Sequence, residues 1–246
     1  MKTKLIVVLP AYNEEESLPS LLDRWNFIIN EYNLNAHILI INDGSVDKTP
    51  DIGKNYKANF PVTVVDVYPN KGLANAIREG FQNAVEIAGD NDIISLMDAD
   101  DTHNPGLIIR MINTIHEGAD IVIASRYRDG SRIYGLSGFR KFLSWGASIL
   151  FRILVNIKGV RDYTCGYRAY RAKLLKDALS LYKDKFIEQQ GFSAMSEVLV
   201  KLKKFKPIVV EVPFILRYDQ KMGTSKMKLF KTIRQTIGLL TSKKKK

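Results

Sequence analysis

Short apolar runs that alternate with helical segments constrain the fold of this chain more than any other feature. Five runs have the length and β-branched content of buried strands: residues 4–9, 37–41, 62–67, 93–97 and 121–124. Helical spacing follows each of the first four, at residues 18–32, 49–57, 73–88 and 106–117. Strands and helices in this alternation predict an α/β fold with a mostly parallel sheet and helices on both of its faces.

The second half of the chain departs from this regular alternation. Residues 128–138 are rich in Gly, Ser and Arg and predict a mobile loop, whereas residues 139–157 predict a helix that is apolar over much of its circumference. Residues 162–170 predict a loop and a short strand, and residues 192–204 predict an amphipathic helix. The last apolar run, residues 208–216, predicts a strand, and its Pro213 favours the edge of a sheet.

Each of the first four predicted strands ends in a polar turn. The turns are YNE at residues 12–14, NDGS at 42–45, NKG at 70–72 and DAD at 98–100. Because the carboxyl ends of parallel strands lie along one edge of a sheet, the four turns can line one pocket. Their side chains supply acceptors for a base and a ribose, a cation for phosphate and carboxylates for a metal, which favours a nucleotide site. The chain has no GxxxxGK(S/T) loop and no strand-linked GxGxxG, which excludes a standard ATPase or dinucleotide site.

The turn after the central run carries three carboxylates within four positions, Asp98, Asp100 and Asp101. Alternation along an extended chain sends Asp98 and Asp100 to the same side. Two such carboxylates repel each other unless a cation lies between them, and Mg²⁺ or Mn²⁺ carrying a diphosphate suits that geometry. The alternative is a solvated Asp-rich turn ahead of a helix. The three other polar turns favour the metal and nucleotide interpretation.

Composition and charge bound the class of protein. Cys165 is the only cysteine, which excludes a disulfide framework and a cysteine-based metal site. No apolar run reaches the roughly 18–20 residues of a spanning helix. Nine of the eleven net positive charges lie after Asp219, so the body of the chain is nearly balanced and the last segment is basic. Such a segment favours an anionic membrane surface, and its single aromatic residue, Phe230, argues against nucleic acid.

Motifs in a fixed order extend over nearly the whole chain. PAYNE at residues 10–14, NDGSVDKT at 42–49, NKG at 70–72, DADDTHNP at 98–105 and ASRY at 124–127 resemble the family 2 glycosyltransferases. RKFLS, DYTCGYRAY, EVPFILR and GTSK continue the resemblance to the polyprenyl-phosphate branch of that family, typified by dolichol-phosphate mannose synthase. The resemblance implies a GT-A (Rossmann-like) fold, a nucleotide-sugar donor, a divalent metal (Mg²⁺ or Mn²⁺) and inversion at the anomeric carbon.

The resemblance assigns donor-side roles to residues at matching positions. Those that would hold the nucleotide are Pro10, Tyr12, Glu14, Asp43 and Lys71. Asp98 and Asp100 would hold the diphosphate, Ala99 between them would belong to the donor site, and the metal would be held by Asp98, Asp100 and Thr102. Thr102 stands where the family often has Gln, and Asn42 stands where it usually has a further Asp.

The same resemblance implies an acceptor side and a closing loop. Arg126, Arg140 and Ser144 match positions that would grip the acceptor phosphate, and Arg217, Ser225 and Lys226 match a loop that would close over the donor diphosphate. A lipid phosphate is already an anionic nucleophile, so it needs positioning and charge neutralisation more than deprotonation. Asp162 is the candidate base if one is used, and the catalytic set would then be Asp100, Arg126 and Asp162. The alternative for Asp162 is a structural role, as a cap or as the partner of Arg168.

Together these features predict a membrane-associated glycosyltransferase. It would transfer a hexose, with mannose and glucose as the first candidates, from a nucleotide-diphosphate sugar to a polyprenyl or dolichyl phosphate. Residues 1–226 would form the catalytic domain with an interface helix at 139–157, and residues 227–246 a basic amphipathic tail that anchors it peripherally on the cytoplasmic side of a membrane. A membrane-spanning partner subunit is compatible with this interpretation. Two alternatives stay open: a family 2 enzyme acting on a glycan hydroxyl, and a non-catalytic basic protein that binds a membrane or nucleic acid.

One further segment carries a prediction about charged side chains. Glu197 either approaches the donor site or pairs with Lys201, which lies one helical turn later. The basic residues that follow predict a solvated face, comprising Lys201, Lys203, Lys204 and Lys206.

Overall fold

The computed structural model describes residues 2–135, 138, 145–146, 148–149, 152–153, 155–191 and 193–220. Within that part the strands are β1 (Lys4–Ala11), β2 (Asn35–Asn42), β3 (Val62–Asp66), β4 (Ile93–Leu96), β5 (Ile121–Ser125), β6 (Arg132–Tyr134), β7 (Arg168–Arg171), β8 (Val209–Pro213) and β9 (Ile215–Arg217). The helices are α1 (Leu18–Glu31), α2 (Thr49–Asn55), α3 (Leu73–Ile87), α4 (Leu107–His116), α5 (Ala172–Tyr182) and α6 (Ser193–Leu202), with 3₁₀ turns at Lys183–Phe186, Lys203–Phe205 and Tyr218–Gln220. Described residues between 145 and 155 are also helical.

Seven of the strands form one mixed sheet in the order β3-β2-β1-β4-β7-β5-β8. Strands β3, β2, β1 and β4 run parallel, as the alternation of strands and helices predicted. β7 is antiparallel to both of its neighbours, β4 and β5, whereas β8 is parallel to β5. The α/β sheet is therefore confirmed, with one inverted strand inside it. Because β7 is inverted, the segment that precedes it reaches the edge of the sheet where β4 and β5 end.

The core contains side chains from the sheet and from the helices that pack on it, among them α3 and α1. The Phe81 side chain of α3 is fully buried and meets the Tyr170 ring of β7 edge-on, with ring centroids 5.5 Å apart. Val8 of β1 and Trp25 of α1 are also fully buried. Fully burying a large apolar side chain stabilises a fold by about 1.5–3 kcal/mol. This packing fixes β1 and β7 relative to each other, and so fixes the edge of the sheet at which the polar turns lie.

Three parts of the second half differ from the predictions. α5 has no counterpart among the predicted elements, although its buried residues have helical spacing. The segment 128–138, predicted as a mobile loop, contains β6, which pairs in parallel with β9. The run 208–216, predicted as one strand, is interrupted at Phe214 and gives β8 and β9. β8 is an edge strand of the large sheet, as its proline predicted, and β9 leaves that sheet to pair with β6.

Several predictions fall on residues outside the described part of the chain. They concern most of the interface helix at 139–157, with Arg140 and Ser144 inside it, together with Ser225, Lys226 and the basic tail at 227–246. The boundary between catalytic domain and tail at residue 226 therefore stays a prediction. Among the helices that the structure does describe, none has the length and apolar character needed to cross a membrane.

Candidate active site

The first two polar turns are braced against each other by long-range hydrogen bonds. The Asn13 backbone N–H donates to Ser45 Oγ at 3.0 Å, and the Val46 N–H donates to Asn13 Oδ1 at 3.0 Å. The Glu14 N–H donates to Thr49 Oγ1 at 2.8 Å, in the first turn of α2. Asn13 has a φ of 54°, a left-handed conformation that Asn adopts more readily than most residues. These bonds hold the turns after β1 and β2 together as one wall.

Three residues predicted to hold the nucleotide belong to this wall. Pro10, near the end of β1, is buried and in register with Ile41 of β2. The Tyr12 side chain is 36% exposed. Glu14 is half-buried and accepts a hydrogen bond from the Ser17 hydroxyl at 2.9 Å. The structure thus brings these predicted site residues together at one edge of the sheet.

Asp43 joins the second polar turn to the third. Its carboxylate accepts the backbone N–H groups of Lys71 at 2.9 Å and Gly72 at 2.8 Å, and its carbonyl accepts Asn70 Nδ2 at 2.7 Å. Gly44 allows this close approach, because its φ is 71° and a Cβ there would lie 2.6 Å from the Asn70 nitrogen. Asp43 is 3% exposed whereas Lys71 is exposed. The buried carboxylate therefore positions the turn that carries the predicted phosphate-side lysine.

Asn42 occupies the position where the resemblance implies a further aspartate. Its Nδ2 donates to Asp66 Oδ1 at 2.8 Å and to the Tyr68 hydroxyl at 3.2 Å. Asp66 also accepts Lys54 Nζ at 2.6 Å, and the hydrogen bonds from Lys54 and Asn42 lower the pKa of Asp66. A carboxylate at position 42 would face the Asp66 carboxylate, whereas the amide donates to it. An amide at position 42 therefore stabilises the charged Asp66 at the end of β3, which a second carboxylate would repel.

The three carboxylates after β4 lie in different environments. Asp101, at a φ of 55°, pairs with Arg24 of α1 at 2.6 Å. Asp100 is buried and accepts the Thr102 hydroxyl at 2.7 Å, and Asp98 is half-buried. Asp101 is thus engaged with α1, and Asp98 and Asp100 are the carboxylates that lie at the carboxyl end of β4.

The residues at this turn fit a divalent metal that is shared with a diphosphate. Among the described residues, no three His, Cys, Asp or Glu side chains form a complete metal site. Mg²⁺ is usually held by one or two carboxylates together with substrate phosphates, and Asp98 and Asp100 can supply that part. A Cβ at Gly166 would lie 3.0 Å from Asp98 Oδ1, so the glycine leaves the room that this carboxylate occupies. Thr102, predicted as a further ligand, directs its hydroxyl to Asp100, and Ala99 between the two aspartates is buried.

Arg126, directly after β5, forms a buried ion pair with Asp162. Its Nε donates to Asp162 Oδ2 at 2.8 Å and its Nη2 to Oδ1 at 2.6 Å, while its backbone N–H donates to Oδ2 at 3.0 Å. Nη2 also donates to Thr164 Oγ1 at 2.6 Å. The side chains of Arg126 and Asp162 are 11% and 0% exposed. Within the described part of the chain these bonds use Nε and Nη2, and none is formed by Nη1.

The ion pair keeps the Asp162 carboxyl charged. Burial alone would raise the pKa of Asp162, but the charge and hydrogen bonds of Arg126 hold that pKa below its ordinary value. Burial likewise opposes the charge on Arg126, and the Asp162 carboxylate outweighs it, so the pKa of Arg126 is raised. The backbone N–H groups of Thr164 and Cys165 also donate to Asp162 Oδ1, at 3.3 and 3.0 Å. Every one of these contacts stabilises the deprotonated carboxylate.

This geometry favours the structural alternative for Asp162 over the catalytic base. A base must be able to reach the proton that it removes, and Asp162 has no exposed surface. Its partner is Arg126 and not Arg168, because the Arg168 guanidinium donates to the carbonyls of Met195 and Tyr163, at 2.7 and 2.8 Å.

Arg217, predicted to lie in the loop over the donor diphosphate, ends β9. Its backbone N–H donates to the Thr102 carbonyl at 3.1 Å, which joins β9 to the turn after β4. Its guanidinium pairs with Asp219 at 2.8 Å and lies over the Tyr134 ring, 5.6 Å from the ring centroid. The main chain of Arg217 therefore lies beside the carboxylate turn, while its exposed side chain is held by Asp219.

Two residues of this region are missing from the set that the sequence predicted. Gly166 lies against Asp98, and Glu211 of β8 accepts the backbone N–H groups of Arg161 and Asp162, both at 2.6 Å. The available signal for Glu211 was a single acid inside an apolar strand, which is costly to bury without partners. Gly166 gave no signal beyond its place in the DYTCGYRAY motif.

Helix α6 confirms one prediction about charged residues and corrects another. Glu197 is fully buried, pairs with Lys201 at 2.9 Å and accepts the backbone N–H groups of Glu188 and Gln189 at 2.8 Å. Lys201, predicted to lie on a solvated face, is only 4% exposed, because it forms this pair and a second one with Glu188 at 2.9 Å. The pair therefore holds the loop before α6.

The sheet and its edge of polar turns have the architecture of α/β enzymes that take nucleotide-linked substrates beyond the carboxyl ends of their strands. The chain belongs to glycosyl transferase family 2, because the model of that family matches residues 6–179. This confirms the family that the motifs indicated.

Relatives with described activities cover most of the chain. A dolichol-phosphate mannosyltransferase of Pyrococcus furiosus is 32% identical over 241 residues, which are 96% of this chain and 64% of that protein. An undecaprenyl-phosphate mannosyltransferase of Micrococcus luteus is 32% identical over 225 residues, which are 91% of this chain and 87% of that protein. The chain therefore spans slightly less than two thirds of the first relative and most of the second.

Solved structures share the fold at low sequence identity. Glucosyl-3-phosphoglycerate synthase from Mycobacterium tuberculosis, in complex with Mn²⁺ and UDP-glucose, has a TM-score of 0.67 at 21% identity, and the match covers 98% of this chain and 78% of that chain. Mannosyl-3-phosphoglycerate synthase from Rubrobacter xylanophilus has a TM-score of 0.65 at 16% identity, with 99% and 74% covered. These matches support the predicted GT-A-like fold.

Proposed function

We propose that this chain transfers a sugar, with mannose as the first candidate, from a nucleotide-diphosphate sugar to a polyprenyl phosphate, with inversion. The observation that carries the proposal is one short segment before β7 that contacts both halves of the site. Asp162 and Thr164 hold the Arg126 guanidinium, and Gly166 lies against Asp98. A carboxylate pair suited to a donor diphosphate and a fixed cation suited to an acceptor phosphate therefore lie next to each other.

The chemistry of the acceptor explains why a fixed guanidinium is the important group. A phosphate monoester is an anion before the reaction, so it attacks the anomeric carbon without losing a proton. Arg126 would neutralise part of its charge and orient it, and a guanidinium suits a phosphate better than an ammonium group does. The buried, charged Asp162 fits this scheme as the partner of Arg126, and no general base is then required.

The donor side uses the remaining residues of the sheet edge. Asp98 and Asp100 would hold Mg²⁺ or Mn²⁺, which when bound stabilises negative charge on a departing nucleoside diphosphate. The wall formed by Tyr12 and Glu14 would hold the base and ribose, and Lys71 on the turn fixed by Asp43 would lie near the phosphates. The names of the relatives, both mannosyltransferases acting on polyprenyl phosphates, support this donor and acceptor class.

A membrane-bound acceptor also requires that the chain reach a membrane surface. Trp145 and Ile153, both helical, expose 53% and 72% of their surface, which is unusual for large apolar side chains. The two exposed apolar side chains support the proposed interface helix at 139–157. The peripheral position on the cytoplasmic face, the second contact through residues 227–246 and the spanning partner subunit are parts of the proposal that rest on the sequence.

A screen of donors and acceptors tests the proposed function. The full chain is incubated with Mg²⁺ or Mn²⁺, a short polyprenyl phosphate and a panel of nucleotide sugars, and glycolipid is scored by mass spectrometry. The control acceptors are the corresponding prenyl alcohol and a simple glycan. We expect product with the prenyl phosphate, and none with the alcohol. Product on a glycan hydroxyl but none on the phosphate would instead establish the hydroxyl-acceptor alternative.

A further inference from the structure

Glu211 is a buried acid in an otherwise apolar edge strand. It lies in β8, opposite Ile123 of β5, and is 4% exposed. A buried carboxylate is costly unless hydrogen bonds compensate it. Burial raises the pKa of Glu211, while the backbone N–H groups of Asp162 and Arg161 and the Ser125 hydroxyl, which all donate to it, act in the opposite direction. The groups that donate to Glu211 lie at the end of β5 and in the segment before β7, so the acid joins those two parts of the chain.

The contacts of Glu211 lead directly to the candidate active site. Its Oε1 accepts the backbone N–H groups of two successive residues, Arg161 and Asp162, each at 2.6 Å. Two adjacent amides held by one oxygen fix the orientation of the peptide between them. That peptide begins the segment whose next side chain, Asp162, receives the backbone N–H, Nε and Nη2 of Arg126. A continuous path of hydrogen bonds therefore runs from β8 to the end of β5.

We propose that Glu211 is a positioning residue for the acceptor phosphate, which it serves by fixing Asp162 and through it the Arg126 guanidinium. This inference rests on the proposed function, in which Arg126 contacts the phosphate. A guanidinium accelerates transfer only when it is held at the right place, and a displacement of about 1 Å can cost on the order of 100-fold in rate. Because Nε and Nη2 of Arg126 are hydrogen-bonded to Asp162, the position of the Asp162 carboxylate determines the direction of Nη1. The position of that carboxylate depends in turn on the hydrogen bonds from the main chain at Arg161 and Asp162 to Glu211.

Two substitutions at this position separate positioning from charge. Glu211→Gln keeps an oxygen that can accept both backbone N–H groups. Glu211→Val removes this acceptor, and valine suits the strand because both neighbours of Glu211 in β8 are valines. Val212→Ala is the matched control, because it loosens packing in the same strand and touches none of these hydrogen bonds. We expect Glu211→Val to lower kcat/KM for the prenyl phosphate about 10- to 100-fold, with the KM for the nucleotide sugar within about twofold of the parent chain. Glu211→Gln should keep most of the activity. Val212→Ala should change kcat/KM for the prenyl phosphate and for the nucleotide sugar only slightly, or lower both by the same factor.

A second readout tests the same path without any turnover. Arginine Nε–H signals report hydrogen bonding by NMR, and the Arg126 signal is identified by its absence in Arg126→Lys. We expect slow solvent exchange of this proton in the parent chain and in Glu211→Gln, and at least tenfold faster exchange in Glu211→Val. Two results in Glu211→Val would overturn the role of Glu211. One is solvent exchange of the Arg126 Nε–H proton at the parent rate, and the other is an equal loss of kcat/KM for the prenyl phosphate and for the nucleotide sugar. If the parent chain transfers no sugar to a prenyl phosphate, the proposed function fails by itself, and the NMR result still decides whether Glu211 fixes Arg126.

Discussion

Replacement of Asp162 by Asn tests the buried ion pair at the centre of the proposed acceptor site. The substitution keeps the shape of the side chain, removes its charge and turns one acceptor into an N–H₂ group that faces the Arg126 donors. Asp162 is fully buried and Arg126 is 11% exposed, so the remaining cation stays largely out of water. Removing one partner of a buried pair costs about 3–5 kcal/mol, and the amide oxygen that remains places this case near the lower value. We therefore expect the free energy of unfolding of Asp162→Asn to fall by about 3 kcal/mol at pH 7.

The pH dependence of this loss has a definite sign. Asp162 has a pKa below its ordinary value in the folded state, so the folded chain keeps it charged at pH values where the unfolded chain binds a proton. Its contribution to stability is therefore present above the unfolded pKa of about 3.9 and is lost as the pH falls through the folded value. The difference in stability between parent and Asp162→Asn should be constant near neutrality and should shrink in acid. Burial raises the pKa of Glu211, which gives the opposite trend, so the comparison needs the variant and not the parent profile alone.

Chemical denaturation at several pH values, followed by circular dichroism, measures both quantities. Asp177→Asn is the matched control, because Asp177 pairs with Lys173 on the surface, where the side chains are 46% and 58% exposed. Exposed pairs at this helical spacing contribute about 0.3–0.5 kcal/mol, so the control should be nearly neutral. If Asp162→Asn is as stable as Asp177→Asn at pH 7, or if its deficit persists unchanged in acid, the reasoning about the pair is wrong.

Four further predictions follow from the site and the tail. Asp100→Asn should keep the fold and lose most turnover in the donor screen, and full activity of this variant, or of the parent in excess chelator, would remove the metal from the mechanism. Gly166→Ala would place a Cβ 3.0 Å from Asp98 Oδ1 and displace that carboxylate slightly, so we expect kcat/KM for the nucleotide sugar to fall by less than the roughly 100-fold that a displacement of about 1 Å costs, with little change in melting temperature; parent-like donor kinetics would mean that Asp98 does not act at this position. Asn42→Asp replaces a donor to Asp66 by a carboxylate and should lower the free energy of unfolding at pH 7 by about 1–3 kcal/mol, measured by urea denaturation, and an unchanged value would show that the two side chains are not coupled. Removal of residues 227–246 should abolish sedimentation with anionic vesicles at low salt, since each basic residue near such a surface contributes about 1 kcal/mol, while activity on a short soluble acceptor survives; equal vesicle binding by the truncated chain would shift the anchor to residues 139–157.

The strands and helices of the first half could be predicted because their signals are local. An apolar run followed by a polar turn marks the ends of β1, β2 and β4 in the sequence itself, and the resulting edge of the sheet is where the structure has it. β6 has no such signal, since its three residues, RIY, become a strand only through pairing with β9. The inverted direction of β7 also depends on its neighbours and is not written in the four residues that form it.

The residues of the site could be predicted more fully than their partners. Motif positions predicted Asp43, Asp98, Asp100 and Arg126 as site residues. Asp100 accepts the hydroxyl of Thr102, two positions later, whereas the partners of Asp43 and Arg126 lie far away in the chain. Arg126 and Asp162 are 36 residues apart, and Asp162 and Glu211 are 49 apart. No periodicity links residues at such separations, so the sequence left Asp162 with two roles and gave Glu211 none. Lys201 was assigned to the wrong environment for the same reason, because the Glu188 carboxylate that helps to bury it lies in another element.

The inversion of β7 is what makes a two-sided site possible on this sheet. In a wholly parallel sheet, the segment that leads into a strand lies at the amino edge, away from any ligand at the carboxyl edge. β7 runs against β4 and β5, so its leading segment arrives between the ends of those two strands. That position lets Gly166 lie beside the donor-side carboxylate while Asp162 holds the arginine that follows β5. One strand direction thus brings the proposed diphosphate site and the proposed phosphate site close together, which is the arrangement that transfer between two phosphate-bearing substrates requires.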